Sequence, residues 1–261
     1  MSLQTLAIYG KESEPYNTYV AHSPAPGDNG SGGQVAQRGE WPMGTQLILQ
    51  DGRKFRFTLA GGTTLVVGNV ITSAAILTTD QDMTPAAGEI NDRIITFTHG
   101  AATTVINLFA EGFVFVTITP GFADNYRIAS HAALRNATAG DILNLAPGQA
   151  LRRAITTITR ISLQRHPYDG VIQAAATTLT GAPVGVAVAA ITNAQFGWLQ
   201  TRGVAVALVA GTAVVGANAV SPTGTAGAAG PSGASTSVNI GIFLQVEATT
   251  QAGPVFLRID G

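Results

Sequence analysis

Between Gly170 and Val246 the chain carries one charged side chain, Arg202, in 77 consecutive positions. About a quarter of the residues of an ordinary globular domain are charged, so no ordinary exposed surface is built from such a stretch. Its strands must be covered on both faces or stacked against something else. The local texture is that of strands: VGVAVAAI, FGWLQTRG, VAVALVAG, AVVGANAV and VNIGIFLQV run or alternate with period two, and VFLRID ends the series. Ala and Gly stand where Lys and Glu usually face water. The segment from Gly203 to Val220 approaches membrane length, but Thr212, Asn218 and three glycines make it a poor lipid-facing helix, and strands are expected there too.

The charge deficit extends over the whole chain. Only 11% of its 261 residues are charged, 46% are hydrophobic and the net charge is −1. A strong basic field for nucleic acid is therefore absent, and so much apolar material argues against a wholly disordered chain. With no cysteine, disulfides, thiolate zinc sites and cysteine nucleophiles are excluded together. The opening residues, Met1 to Tyr9, lack a basic region, and Lys11, Glu12 and Glu14 follow before an apolar run can form, so export by a leader or anchoring in a membrane is not expected.

Three regions are expected. Residues 1–43, with Pro15, Pro24, Pro26, Pro42 and the run APGDNGSGG, read as an extended arm that becomes ordered only by lying on something else. Residues 44–170 read as a β-rich domain. TQLILQ, RKFRFTLA and TTLVVGNVIT are separated by Asp51-Gly52 and Gly61-Gly62, dipeptides suited to two-residue type I′ hairpins. In RKFRFTLA the side chains of Arg53, Phe55, Phe57 and Leu59 share one face. Further short strands follow, and one short helix is expected after Pro147, with Ala150, Leu151, Ala154 and Ile155 as its buried stripe. Residues 171–261 read as a low-charge β-rich module for oligomerisation or capsid binding. The expected fold is thus all-β: short-stranded sandwich or barrel-like modules, an extended N-terminal arm and at most one or two short helices.

Motifs that carry chemistry are scarce. His22, His99, His131 and His166 are scattered without metal-ligand spacing, and His131 and His166 read as strand ends that satisfy loop carbonyls. The acidic run Asp80, Asp82, Glu89, Asp92 has Pro85 and Asn91 where a calcium loop needs Gly and Glu, so a solvated turn is expected. There is no GxSxG elbow and no phosphate-binding loop. No cofactor, metal or catalytic residue is assigned. An enzyme, such as a polysaccharide depolymerase, would need Glu111, Asp124 or Asp141 to converge in a groove. Twelve of the fourteen basic residues are arginine, a residue suited to interfaces; Arg152, Arg153, Arg160 and Arg165 could meet an acidic partner, although a solvated face accounts for them as well.

One resemblance covers most of residues 45–261. Asp51 to Phe57, Ala60-Gly61-Gly62-Thr63-Thr64-Leu65, Phe109 to Gly112, Tyr126 to His131, the block Ser162 to Val171, Pro183 to Val186 and above all Phe196-Gly197-Trp198-Leu199-Gln200-Thr201-Arg202-Gly203 resemble, in order, phrases of tailed-bacteriophage virion structural proteins, in particular capsid decoration (cement) proteins. The resemblance implies a non-enzymatic protein of the virion, assembled in the bacterial cytoplasm. It would bind the outer capsid surface, bridge neighbouring major capsid protein subunits and stabilise the head, commonly as a homotrimer. Direct contact with nucleic acid or membrane is not expected. The other place for such a β protein is the tail, as a tube, baseplate or receptor-binding part. Trp41, Phe196, Trp198 and Arg202 are the candidate interface residues, because aromatic and arginine side chains often dominate interfaces; Phe196 and Trp198 read equally well as core residues on one strand face.

Overall fold

The computed structural model describes residues 7–9, 12–17, 19–20, 41–231 and 237–260. Strands hold 43% of the residues and helical turns 3%, which makes the chain all-β as expected. The helical turns are single three-residue pieces at Glu14–Tyr16 and Thr78–Asp80. No helix among the described residues is long and apolar enough to cross a membrane.

The chain divides into two compact units. The first holds Gln37–Ala75 and Pro167–Gly261 together with the described residues before Ala25; the second holds Ile76–His166. This differs from the expected division, which joined residues 44–75 to the segment that follows them. Strand pairing is the reason: the early strands find their partners more than a hundred residues away.

In the first unit, β1 (Ala7–Tyr9), β2 (Tyr19–Val20), β3 (Gln46–Ile48), β4 (Lys54–Ala60) and β5 (Val70–Thr72) precede the inserted second unit, whose strands take the numbers β6 to β11. After it come β12 (Asp169–Gln173), β13 (Pro183–Ala187), β14 (Gln195–Leu208), β15 (Asn218–Ser221), β16 (Gly230–Pro231), β17 (Val238–Phe243) and β18 (Ala252–Arg258). The pairs β4–β12, β12–β5, β5–β13, β13–β14 and β14–β4 form a closed five-stranded ring. β14 is long enough to serve twice. Its second half pairs with β18, and β17, β15 and β16 continue the sheet until the Val209–Ala229 bridge returns to the end of β14. Closure removes the free edges of the ring strands, while β3 and β1 extend the sheet outward from β4.

The second ring is narrow, and small residues fill it. Ala205, Ala207, Ala213, Ala219 and Ala229 are buried with Ile240, Phe243, Val255 and Leu257. This accounts for much of the missing charge, because Ala and Gly are interior residues here. The first ring carries bulkier cores. Met43, Leu47, Leu49, Phe55, Phe57, Phe196 and Trp198 make one, and Leu65, Ile71, Val171, Ile191 and Leu199 belong to the other.

Of the expected arm, β1 pairs in parallel with β3, β2 pairs with the start of β14, and Trp41 and Met43 belong to the core. The glycine-rich run lies outside the described residues. Asp51-Gly52 does form a hairpin, but through a three-residue loop. Leu49 N–H donates to Arg53 O and Gly52 N–H to Leu49 O, and only Gly52 takes a positive φ (84°). Gly61-Gly62 is not a hairpin. There β4 passes onto its parallel partner β12, and a Cβ on Gly61 would lie 2.6 Å from Gly170 O.

The second unit is a barrel of short antiparallel strands: β6 (Thr84–Pro85), β7 (Ile94–Thr98), β8 (Phe113–Ile118), β9 (Asn125–His131), β10 (Ala139–Leu145) and β11 (Arg160–Gln164). Their order is β11-β8-β9-β10-β7-β6, and the Met83–Ile161 bridge closes it. Ile95, Phe97, Phe109, Val114, Ile128, Leu143, Leu151, Ile155 and Ile161 are among the residues that fill its core. The helix expected after Pro147 is absent. Residues 150–158 instead run beside residues 88–92, where Leu151 N–H donates to Asp92 O and Ile155 N–H to Gly88 O. Leu151 and Ile155 are buried all the same.

A candidate interaction surface

Of the four candidate interface residues, three meet in the core of the first unit. Phe196 and Trp198 are 2% and 1% exposed, and Phe57 stacks on Phe196 and meets Trp198 edge-on with centroids 5.4 and 5.1 Å apart. Trp41 is half-buried against Phe57 and Trp198, both at 5.4 Å. A buried ring cannot anchor a partner, so Phe196 and Trp198 are corrected from interface residues to core residues. Arg202 lies apart from them, where β14 leaves the first ring for the second.

The outward face of that second ring has the character expected of an interface. From Gly203 to Leu208 the strand reads Gly-Val-Ala-Val-Ala-Leu, and burial alternates with it. The small alanines, Ala205 and Ala207, point inward, while Val204 and Val206 are 50% and 57% exposed. This reverses the usual order, in which the bulkier apolar side chain goes inside. The neighbouring strands bury bulky residues, Val255, Leu257, Ile240 and Phe243, but add apolar side chains to the same outer face: Phe256 lies opposite Val204, Pro254 opposite Val206 and Ile242 opposite Phe256, all half-buried. Leu244, whose N–H donates to Pro254 O, continues the strip. Three strands about 4.8 Å apart over some seven residues make a patch of roughly 300–400 Å², the size at which an apolar patch on a monomer is often functional. Covering it is worth up to about 10 kcal/mol by area, before the cost of association.

One end of the strip is cationic. Arg202 and Arg258 are directly opposed on β14 and β18, and neither has an acidic partner among the described residues. A groove of about 450 Å³ opens beside them, lined in part by Asp51, Arg53, Arg202, Val204 and Phe256. Arg53 is neutralised by Asp51 and by Glu12 at 2.7 Å, and Arg56 by Asp260.

Titratable groups elsewhere are tied into the fold. Asp124 accepts from Arg153 Nη2 at 2.7 Å and from the Tyr126 hydroxyl at 3.1 Å; the Arg153 hydrogen bond, the larger influence, holds its carboxyl below the usual range. Asp141 accepts from Arg135, and Glu111 lies 3.8 Å from Arg127. Each of the acids that an enzyme would need to converge thus faces an arginine. Arg152 stacks over the Tyr126 ring, and Arg160 donates to the Thr157 and Thr159 carbonyls. His131 ends β9 as expected: Nδ1 faces Ala132 O, and Nε2 accepts from the Phe109 N–H.

Of the acidic run expected to be a solvated turn, Asp82 and Glu89 are exposed, but Asp80 is buried and paired with His99. His99 Nδ1 lies 3.0 Å from Ala102 O and Nε2 lies 3.1 Å from Asp80 Oδ1. Burial pushes the Asp80 carboxyl up against the opposing pull of His99. Tyr168 is half-buried near Arg56, and desolvation pushes its hydroxyl up to about 12. No three His, Asp or Glu side chains among the described residues gather as a metal site.

No protein-family model, curated protein or solved structure matches the chain. The surface residues that sequence reasoning missed are Val204, Val206, Phe256 and Arg258. Their signal was present in the run V-A-V-A-L, where alternation in side-chain size, not in polarity, marks the two faces.

Proposed function

We propose that the chain is a non-enzymatic structural protein of a tailed-phage virion, a capsid decoration protein that binds the outer shell, bridges major capsid protein subunits and stabilises the head. The observation that carries this reading is the outward apolar face of β14, β18 and β17 in a chain so poor in charge. A protein whose work is contact needs such a face more than it needs a cleft. The resemblance of residues 45–261 to decoration proteins supplies the partner, and closed sheets without disulfides suit assembly in a reducing cytoplasm. Head stabilisation would come from many modest contacts repeated around the shell, since area alone does not set affinity.

The test is the number of copies per purified particle relative to the major capsid protein, by quantitative mass spectrometry. Hundreds of copies in a simple ratio are expected. A dozen or fewer would move the protein to the tail or a vertex, and absence from the particle would overturn the reading.

A further inference from the structure

We infer that the outward face of β14, β18 and β17 is a docking site for an acidic, apolar surface of another protein and not for the same face of a second copy of this chain. The inference rests on the proposed virion role only in where the partner is sought.

The argument is one of charge. Like charges placed directly opposite on adjacent strands repel, and Arg202 and Arg258 are so placed with no ion pair to a carboxylate among the described residues, although Asp51 lines the same groove as Arg202. Three acids of this region, Glu12, Asp51 and Asp260, stand against five bases, Arg53, Lys54, Arg56, Arg202 and Arg258, and the acids pair with Arg53 and Arg56. The excess positive charge therefore stands at one end of an apolar strip, beside the groove that Arg202 shares with Val204 and Phe256. A partner that covers the strip with apolar side chains and brings carboxylates to the arginine end satisfies both halves. Arginine is suited to that contact, since its planar fork takes a carboxylate through two hydrogen bonds.

The same face of a second copy fits poorly. A two-fold pairing of the same face would set arginine against arginine, or lay the arginine end of one copy on Val206 and Leu244 of the other. Either arrangement buries an uncompensated cation. Nucleic acid would satisfy the arginines but would leave the valines facing a phosphate backbone.

The test places a photo-crosslinking benzoylphenylalanine at Val206 of the full chain in the cells that produce it, with the same substitution at Ile158, exposed on the second unit, as control. Crosslinked peptides are identified by mass spectrometry, and the experiment is repeated with R202E/R258E. The expected result is a peptide of another protein containing Asp or Glu, captured at Val206 and not at Ile158, with yield reduced at least tenfold by the charge reversal and graded by salt. The double variant should melt within a few degrees of the parent, which separates lost docking from lost folding. Peptides of this same chain, nucleic acid or lipid at Val206 would overturn the inference. So would capture no greater than at Ile158, or capture unaffected by the reversal. An acidic partner found in cells while the chain is missing from particles would overturn the virion reading and leave this one standing.

Discussion

At the scale of single residues, the tie between Arg56 and Asp260 fixes the chain end to the first ring. Arg56 Nε and Nη2 donate to the two oxygens of Asp260 at 2.7 and 2.9 Å, Gln46 adds a third hydrogen bond, and Arg56 Nη1 reaches Gly44 O. Burial alone would raise the Asp260 carboxyl, but the Arg56 hydrogen bonds and charge outweigh it and hold the carboxyl below its ordinary value of 3.8. A carboxylate lowered on folding stabilises fully above its ordinary range and loses that contribution as pH falls through the folded value. Asp260→Asn should therefore cost about 2 kcal/mol at pH 7, the worth of a partly buried charged hydrogen-bond pair, with the difference closing toward pH 2 in urea melts. Asp80 has the opposite sign. Its raised carboxyl favours the fold at low pH and gives up that contribution as pH rises through the folded value. Asp80→Asn should accordingly remove part of the stability loss that the parent shows as pH rises from the ordinary carboxylate value through the raised folded one. In the aromatic cluster, Trp198→Ala should cost about 3–5 kcal/mol, with loss of tryptophan fluorescence shift as a second readout.

At the scale of elements, β14 is the member on which both rings depend. Its first half is buried through Phe196, Trp198, Leu199, Gln200 and Thr201, and its second half presents Val204 and Val206 outward. Val206→Thr keeps the β-branch and the strand geometry, so its stability should stay within about 0.5 kcal/mol of the parent while solubility rises. The strands themselves were legible in the sequence because alternation and glycine punctuation are local. Their partners were not, since nothing in RKFRFTLA states that Phe57 will lie opposite Trp198. The expected helix fails for a specific reason. Leu151 and Ile155 are four residues apart, which fits one turn of helix and also two steps of an extended chain, so burial at both positions cannot separate the two. Their backbone hydrogen bonds to residues 88–92 decide it. Leu151→Ala should still cost about 2–5 kcal/mol by chemical denaturation, because its burial does not depend on the conformation that delivers it. The interaction surface was half legible. Arg202 stood out as the one charge in its stretch, whereas Arg258 and Phe256 join it only through the register of β18.

At the scale of the whole molecule, the second unit is an insertion: chain leaves the first ring after β5 and returns at β12. That topology explains why a linear division into arm, domain and module misplaces residues 44–75. A reading that runs along the sequence assigns strands to the segment around them, while closure of a ring requires strands from both sides of the insertion. Each unit has its own apolar core and its own closed or nearly closed sheet, the two features that let a barrel fold without neighbours. The fragment 76–166 should therefore fold when expressed alone. It should melt cooperatively with an unfolding enthalpy of about 60 kcal/mol, as its length of roughly 90 residues implies, and retain the backbone amide protection of β7, β9 and β10. The converse is the sharper measurement. Replacing residues 76–166 by a short glycine-serine linker keeps every strand of both rings of the first unit, so that protein should fold with its Trp198 fluorescence intact. Loss of folding on both sides of the excision would show that the two cores, separate in the structure, are made stable only together.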